Sequence, residues 1–159
     1  MKILIVAPHP DDEVLGAGGT LLRYKAEGHS IAWLIITNVS VKYGWEPKKV
    51  KDRKKEISEI SKIFNFDKIY NLNLPPAKLD TLPLVEIIDK ISEVVNDFKP
   101  DEVLIPHLGD IHSDHRIIHE ALLSCTKWFR YNFVKRILSY ETLSETNFGL
   151  NANEQFCPN

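Results

Sequence analysis

A continuous apolar run, Ile3-Leu4-Ile5-Val6-Ala7, opens the chain and breaks off at Pro8-His9-Pro10-Asp11-Asp12-Glu13. An unbroken apolar run of this length predicts a strand buried on both faces, and such strands belong to parallel sheets covered by helices. The residues after it read as that covering helix, from Glu13 to Glu27, stopped by Gly28-His29. The alternation then repeats. Ile31 to Thr37 reads as a strand, Glu46-Pro47 opens a helix to about Phe64, and Lys68 to Leu72 is a short strand. Pro83 fits the first turn of a helix with Val85, Ile88, Ile91 and Val95 on one face, ending before Lys99-Pro100. Glu102 to Pro106 is again a strand, Ser113 to about Phe129 a helix, and Val134 to Tyr140 a last strand. Strands alternating with helices of this length predict an α/β fold with right-handed crossovers and a mainly parallel sheet between two helical layers.

Two polar clusters follow strand ends. The first is His9 with Asp11, Asp12 and Glu13; the second is His107, Asp110, His112, Asp114, His115 and His119. They hold five of the six histidines, and an open α/β sheet places its ligands at the carboxyl ends of strands. Capping a helix N-terminus accounts for the acids but not for the histidines. Imidazoles and carboxylates without thiolates suit a catalytic zinc site with an open position, and the same donors accept Fe²⁺ or Co²⁺. Composition narrows the partners. A formal net charge of −2 gives no reason to expect nucleic acid or an anionic membrane as partner. No apolar stretch approaches the roughly 18 residues of a membrane span, and there is no signal-peptide pattern. Cys125 and Cys157 form no CxxC, so the expected setting is a reduced cytoplasm.

Ala7-Pro8-His9-Pro10-Asp11-Asp12-Glu13 with Gly16 to Leu22 closely resembles the first motif of the PIG-L/LmbE-like zinc-dependent de-N-acetylases. Pro106-His107-Leu108-Gly109-Asp110-Ile111-His112-Ser113-Asp114-His115 resembles their second motif, and Tyr140-Glu141-Thr142 a third, weaker block. The resemblance covers nearly the whole chain and implies a Rossmann-like three-layer fold. It implies a metal-dependent hydrolase that removes an N-acetyl group from an amino sugar or sugar conjugate, with His9, Asp12 and His115 as metal ligands. Asp11 matches the general base that takes a proton from the water on the metal. His112 matches the histidine that stabilises the oxyanion or protonates the leaving amine, and Asp114 matches its carboxylate partner. Arg53 matches a substrate-binding arginine, whose forked guanidinium suits sugar hydroxyls or a phosphate. The implied partner is a small N-acetylated sugar or its conjugate, and a homo-oligomer is compatible with the pattern.

Other features are weighed against this reading. Gly16-Ala17-Gly18-Gly19 fails as a dinucleotide fingerprint, since the third glycine would fall at Leu21; close packing of helix on sheet explains these glycines better. His119 is expected to support the site or the core, while Tyr43 and Trp45 could stack on a sugar ring. Thr37-Asn38-Val39-Ser40 replaces the family's Thr-x-Gly-type turn. From Glu145 to Asn159 no helical periodicity is visible, and family members continue further. The expectation is therefore a single domain over 1–159, truncated at its C-terminal end. Two alternatives stay open: a metallohydrolase of another bond such as a phosphoester, and an inactive sugar- or nucleotide-binding module.

Overall fold

The computed structural model describes residues 1–149 and 155–158; the part of the irregular terminal stretch at 150–154 and Asn159 lies outside them. Five strands form one sheet: β1 (Lys2–Ala7), β2 (Ser30–Thr37), β3 (Lys68–Leu74), β4 (Glu102–Pro106) and β5 (Arg136–Tyr140). Their order is β3-β2-β1-β4-β5, and every pairing is parallel. The helices are α1 (Asp12–Ala26), α2 (Pro47–Phe64), α3 (Leu84–Phe98) and α4 (Ser113–Ser124).

The apolar run opening the chain becomes the central strand. Leu4 and Val6 face one core with Ile87, Ile91 and Val95 of α3 and Ile118 and Leu122 of α4. Ile3, Ile5 and Ala7 face the other, with Ala17 and Leu21 of α1 and Phe64 of α2. From Ile3 to Ala7 alternate residues of β1 thus go to opposite faces and both faces are buried, so the strand's only polar residue is Lys2 at its exposed start. Helix α1 carries Asp12 and Glu13 in its first turn and Arg23 and Lys25 in its last, each sign at the favourable end of the helix dipole. It stops at Gly28, whose φ of 78° few other residues adopt, with Gly28 N–H bonded to Lys25 O and His29 N–H to Tyr24 O.

Several expected boundaries move, and β3 runs on to Leu74. Pro83 caps α3 instead of entering its first turn, and the buried face centres on Ile87, Ile91, Val94, Val95 and Phe98, leaving Val85 exposed. Helix α4 ends at Ser124, where the Thr126 hydroxyl donates to the Leu122 carbonyl; Trp128 and Phe129 lie beyond it, exposed. Strand β5 starts at Arg136, two residues after Val134. Among the described residues no helix is long and apolar enough to cross a membrane.

Candidate active site

The chain runs outward from β1 through β2 to β3, then returns to place β4 on the other side of β1. The carboxyl ends of β1 and β4 flank this reversal, where an open α/β sheet leaves a crevice. Both polar clusters meet there. Around them lies an open cavity of about 390 Å³, at the small end of ligand sites, walled by Thr37 to Val39, Trp45, Arg53, Pro76, Ala77, Ser144 and Glu145.

His9 leaves β1 in a tight turn in which Asp12 Oδ2 accepts the His9 backbone N–H at 2.8 Å. The same Oδ2 lies 3.4 Å from His9 Nδ1 and 3.3 Å from His115 Nε2, and the two nitrogens are 3.2 Å apart. The far nitrogen of each ring meets another carboxylate: His9 Nε2 lies 3.1 Å from Asp114 Oδ2, and His115 Nδ1 2.9 Å from Asp110 Oδ2. A carboxylate only accepts, so the ring protons belong on those far nitrogens. Three lone-pair atoms, His9 Nδ1, His115 Nε2 and Asp12 Oδ2, therefore face one point. A tetrahedral ion with ligand bonds of about 2.0–2.1 Å separates its ligands by about 3.3–3.4 Å. The triangle observed here has that size.

The electrostatics favour positive charge at this point, supplied by protons on the two near nitrogens when no ion is bound. Burial opposes charge on His9, but Asp114 and Asp12 outweigh it and raise its pKa to about 9. For His115 burial is likewise outweighed, by Asp110 and Asp12, and the value rises to about 10. Asp12 is buried, which would raise it, yet the two histidines hold it well below the usual carboxylate range. The triangle is a place built for positive charge. His112 is the third imidazole of the group, its ring centroid 4.6 Å from that of His9 and 5.0 Å from that of His115. It caps α4, its Nδ1 accepting the Asp114 backbone N–H at 3.1 Å, which leaves Nε2 as the nitrogen that carries the ring proton. Burial, then His9 and His115, lower its pKa.

Asp11 stands at the rim. Burial and the neighbouring Asp12 raise its pKa, and Arg53, with Nη1 3.7 Å from Asp11 Oδ2, works against them. Arg53 also donates to the Pro10 carbonyl and pairs with Glu56 at 3.3 Å. The structure thus brings His9, Asp11, Asp12, Arg53, His112 and His115 to one cavity. Asp114 joins them differently from the expected pairing: its carboxylate lies on His9, and only its backbone N–H reaches His112. His119 turns away to the Pro106 carbonyl at 2.8 Å. Trp45 lines the cavity, whereas the Tyr43 hydroxyl bonds Asn73 O. Of the four residues from Gly16 to Gly19, close packing explains Gly16, where a Cβ would overlap the Tyr140 ring and lie 2.6 Å from the Glu141 carbonyl. Gly19 has open space instead.

Asp110 matches no assigned role in the motif, yet the structure gives it one. It is fully buried and holds His115 with one oxygen, the His112 backbone N–H with the other, and the Thr146 hydroxyl at 3.1 Å. A chemical signal points to it: a histidine that binds metal through one nitrogen wants an acceptor on the other, and Asp110 is an acid of the same motif with no other role. Thr146 carries no such signal.

Comparison with known proteins identifies the family. The family described as PIG-L, GlcNAc-PI de-N-acetylase, matches residues 4–126. The uncharacterized deacetylase YaiS of Escherichia coli (strain K12) is 28% identical over 148 residues, covering 89% of this chain and 74% of that protein. The diacetylchitobiose deacetylase of Thermococcus kodakarensis is 28% identical over 124 residues, 72% of this chain and 45% of that one. Among solved structures, the conserved protein TT1542 from Thermus thermophilus superposes with a TM-score of 0.76 at 30% identity, covering 98% of this chain and 68% of that one. By this match and by its fold, the chain belongs to the PIG-L family of de-N-acetylases.

Proposed function

We propose that this chain is a metal-dependent N-deacetylase of small amino sugars or their conjugates, with His9, Asp12 and His115 holding a zinc ion or another divalent transition metal. The observation that carries this reading is the triangle of three lone-pair atoms with each imidazole backed by a buried carboxylate. Such backing fixes the tautomer and raises the basicity of a histidine ligand. The donor set, nitrogen and carboxylate oxygen, suits zinc, and Fe²⁺ or Co²⁺ fit the same set. A divalent ion bound there supplies a Lewis acid for the acetamide carbonyl and lowers the pKa of a water from 15.7 to about 7.

The chain's own groups supply the remainder. Asp11, accessible at the rim, accepts a proton from the attacking water. His112 Nε2 carries its proton into the cavity because Nδ1 is occupied by the helix-capping bond, and it donates to the oxyanion as the carbonyl carbon becomes tetrahedral. The C–N bond then breaks, the proton held by Asp11 passes to the departing nitrogen, and acetate and amine result. Arg53, with donors left over from Pro10 O and Glu56, binds sugar hydroxyls at the mouth. The names of relatives that act on N-acetylated sugars favour this substrate class, as does a cavity of monosaccharide size.

The test is metal analysis together with acetate release from N-acetylglucosamine and N,N′-diacetylchitobiose. The expected result is about one ion per chain and one acetate per amine formed. Absence of acetate from both sugars with a loaded site, or phosphate release from sugar phosphates instead, would overturn the reading.

A further inference from the structure

The Asp114 carboxylate accepts three hydrogen bonds, and only one of them concerns a histidine. Its Oδ2 accepts His9 Nε2 at 3.1 Å and the Ala77 backbone N–H at 2.7 Å; its Oδ1 accepts the Leu79 backbone N–H at 3.2 Å. The side chain is completely buried. Pro76 and Ala77, in the loop between β3 and α3, form one wall of the cavity. We propose that Asp114 is a positioning residue that clasps this loop to His9, so that the metal-ligand set and the cavity wall form as one unit.

The loop needs such a clasp. Ala77 has a φ of 55°, in the left-handed region that a residue with a Cβ enters at a cost, so its own preference is to leave this conformation. Asn73, next to the last residue of β3, is also left-handed at 52°. Two backbone N–H groups delivered to one carboxylate hold the turn, and Leu79, buried in the α3/α4 core, fixes its far end. On its other side the same oxygen fixes the proton of His9 on Nε2 and so aims Nδ1 at the triangle. Coupling of this kind is reciprocal: an ion that orders His9 orders the loop, and a loop in place favours the ion. Asparagine would offer one acceptor oxygen where three donors converge, turning an N–H₂ toward at least one of them.

The inference rests on the metal reading above, and its test separates the two. Amide hydrogen exchange at Ala77 and Leu79 is followed in the full chain with zinc and with chelator, in wild type, Asp114→Asn and Asp110→Asn, with zinc content measured in parallel. In wild type, zinc should slow exchange at both amides about tenfold or more. In Asp114→Asn these amides should exchange at least about tenfold faster even without metal, and zinc should no longer protect them. Asp110→Asn, which touches His115 and not the loop, should bind zinc about 10–100-fold more weakly yet regain full protection at saturating zinc.

Zinc bound at one per chain without any change at Ala77 and Leu79 would overturn the clasp, as would loss of protection in saturated Asp110→Asn. A chain that takes up no zinc would sink the metal reading instead, and the metal-free comparison of wild type with Asp114→Asn would then decide the clasp. Should Asp114→Asn fail to fold, the wild-type comparison with and without zinc decides it.

Discussion

Asp11 and Asp12 are consecutive in the chain, but the side chain of Asp12 is 5% exposed and that of Asp11 56%. They represent the two regions of the pocket. The floor, made of His9, Asp12, Asp110, Asp114 and His115, is nearly dry, and its heteroatoms point at one another, at backbone amides or, for Asp110, also at the Thr146 hydroxyl. The rim, made of Asp11, Trp45, Arg53 and Glu145, is open, and Arg53 stands 3.7 Å from Asp11 and 3.3 Å from Glu56. Holding an ion requires lone pairs fixed within a few tenths of an ångström in a water-poor setting. Moving a proton or admitting a sugar requires a group that solvent and substrate can reach. A single tight turn after β1 serves both needs because successive residues in it point in different directions.

Substitutions at floor and rim should have opposite consequences for the metal. Asp12→Ala and His9→Ala remove one corner of the triangle, so metal content should fall well below one per chain and acetate release should drop by more than about 10³-fold. Asp11→Ala leaves the triangle intact: metal should remain at wild-type stoichiometry while turnover drops by about 10²–10⁴-fold, the usual span for a lost general base. Metal analysis beside single-turnover rates reads both. If Asp11→Ala lost the ion, or Asp12→Ala kept it, floor and rim would not be separate regions.

Much of the floor is legible in the sequence because its residues stand next to strand ends in recognisable strings, and strand ends are where chemistry can be placed on a parallel sheet. The alternation of apolar runs gives the layer architecture for the same reason: from Ile3 to Ala7, β1 has no polar position to hide. What escapes is set by distance along the chain. The partnership of Asp114 with His9 spans 105 residues, and its bonds to Ala77 and Leu79 join loops that no local pattern connects. The early stop of α4 escapes too, because Trp128 and Phe129 continue an apolar rhythm that the structure leaves in solvent.

A smaller effect probes how tightly the floor is supported from beneath. Tyr140, buried at the end of β5, donates its hydroxyl to the Val6 carbonyl at 2.7 Å, so its ring cannot withdraw from Gly16. Gly16→Ala should therefore lower the unfolding free energy by about 1–3 kcal/mol, measured by urea titration, as overpacked sites do. Gly19→Ala, facing open space in the same helix, should be neutral or stabilising. Equal effects at the two glycines would remove the packing argument.

At the rim the smallest effect is expected, and it is confined to substrate and proton. Arg53→Lys keeps a cation but loses the fork that spans Pro10 O, Asp11 and Glu56. The KM for N-acetylglucosamine should rise about tenfold, roughly 1.4 kcal/mol, with metal content unchanged. Arg53→Ala also removes the positive charge 3.7 Å from Asp11. That charge favours the ionised carboxylate and opposes the upward push of burial and Asp12, so its loss raises the Asp11 pKa. A general base must be deprotonated to act, and the acid limb of kcat/KM should therefore move to higher pH in Arg53→Ala while staying in place in Arg53→Lys. An acid limb that stays put in Arg53→Ala would mean that the group titrating there is not Asp11, and the proton-transfer role would have to be sought on the floor.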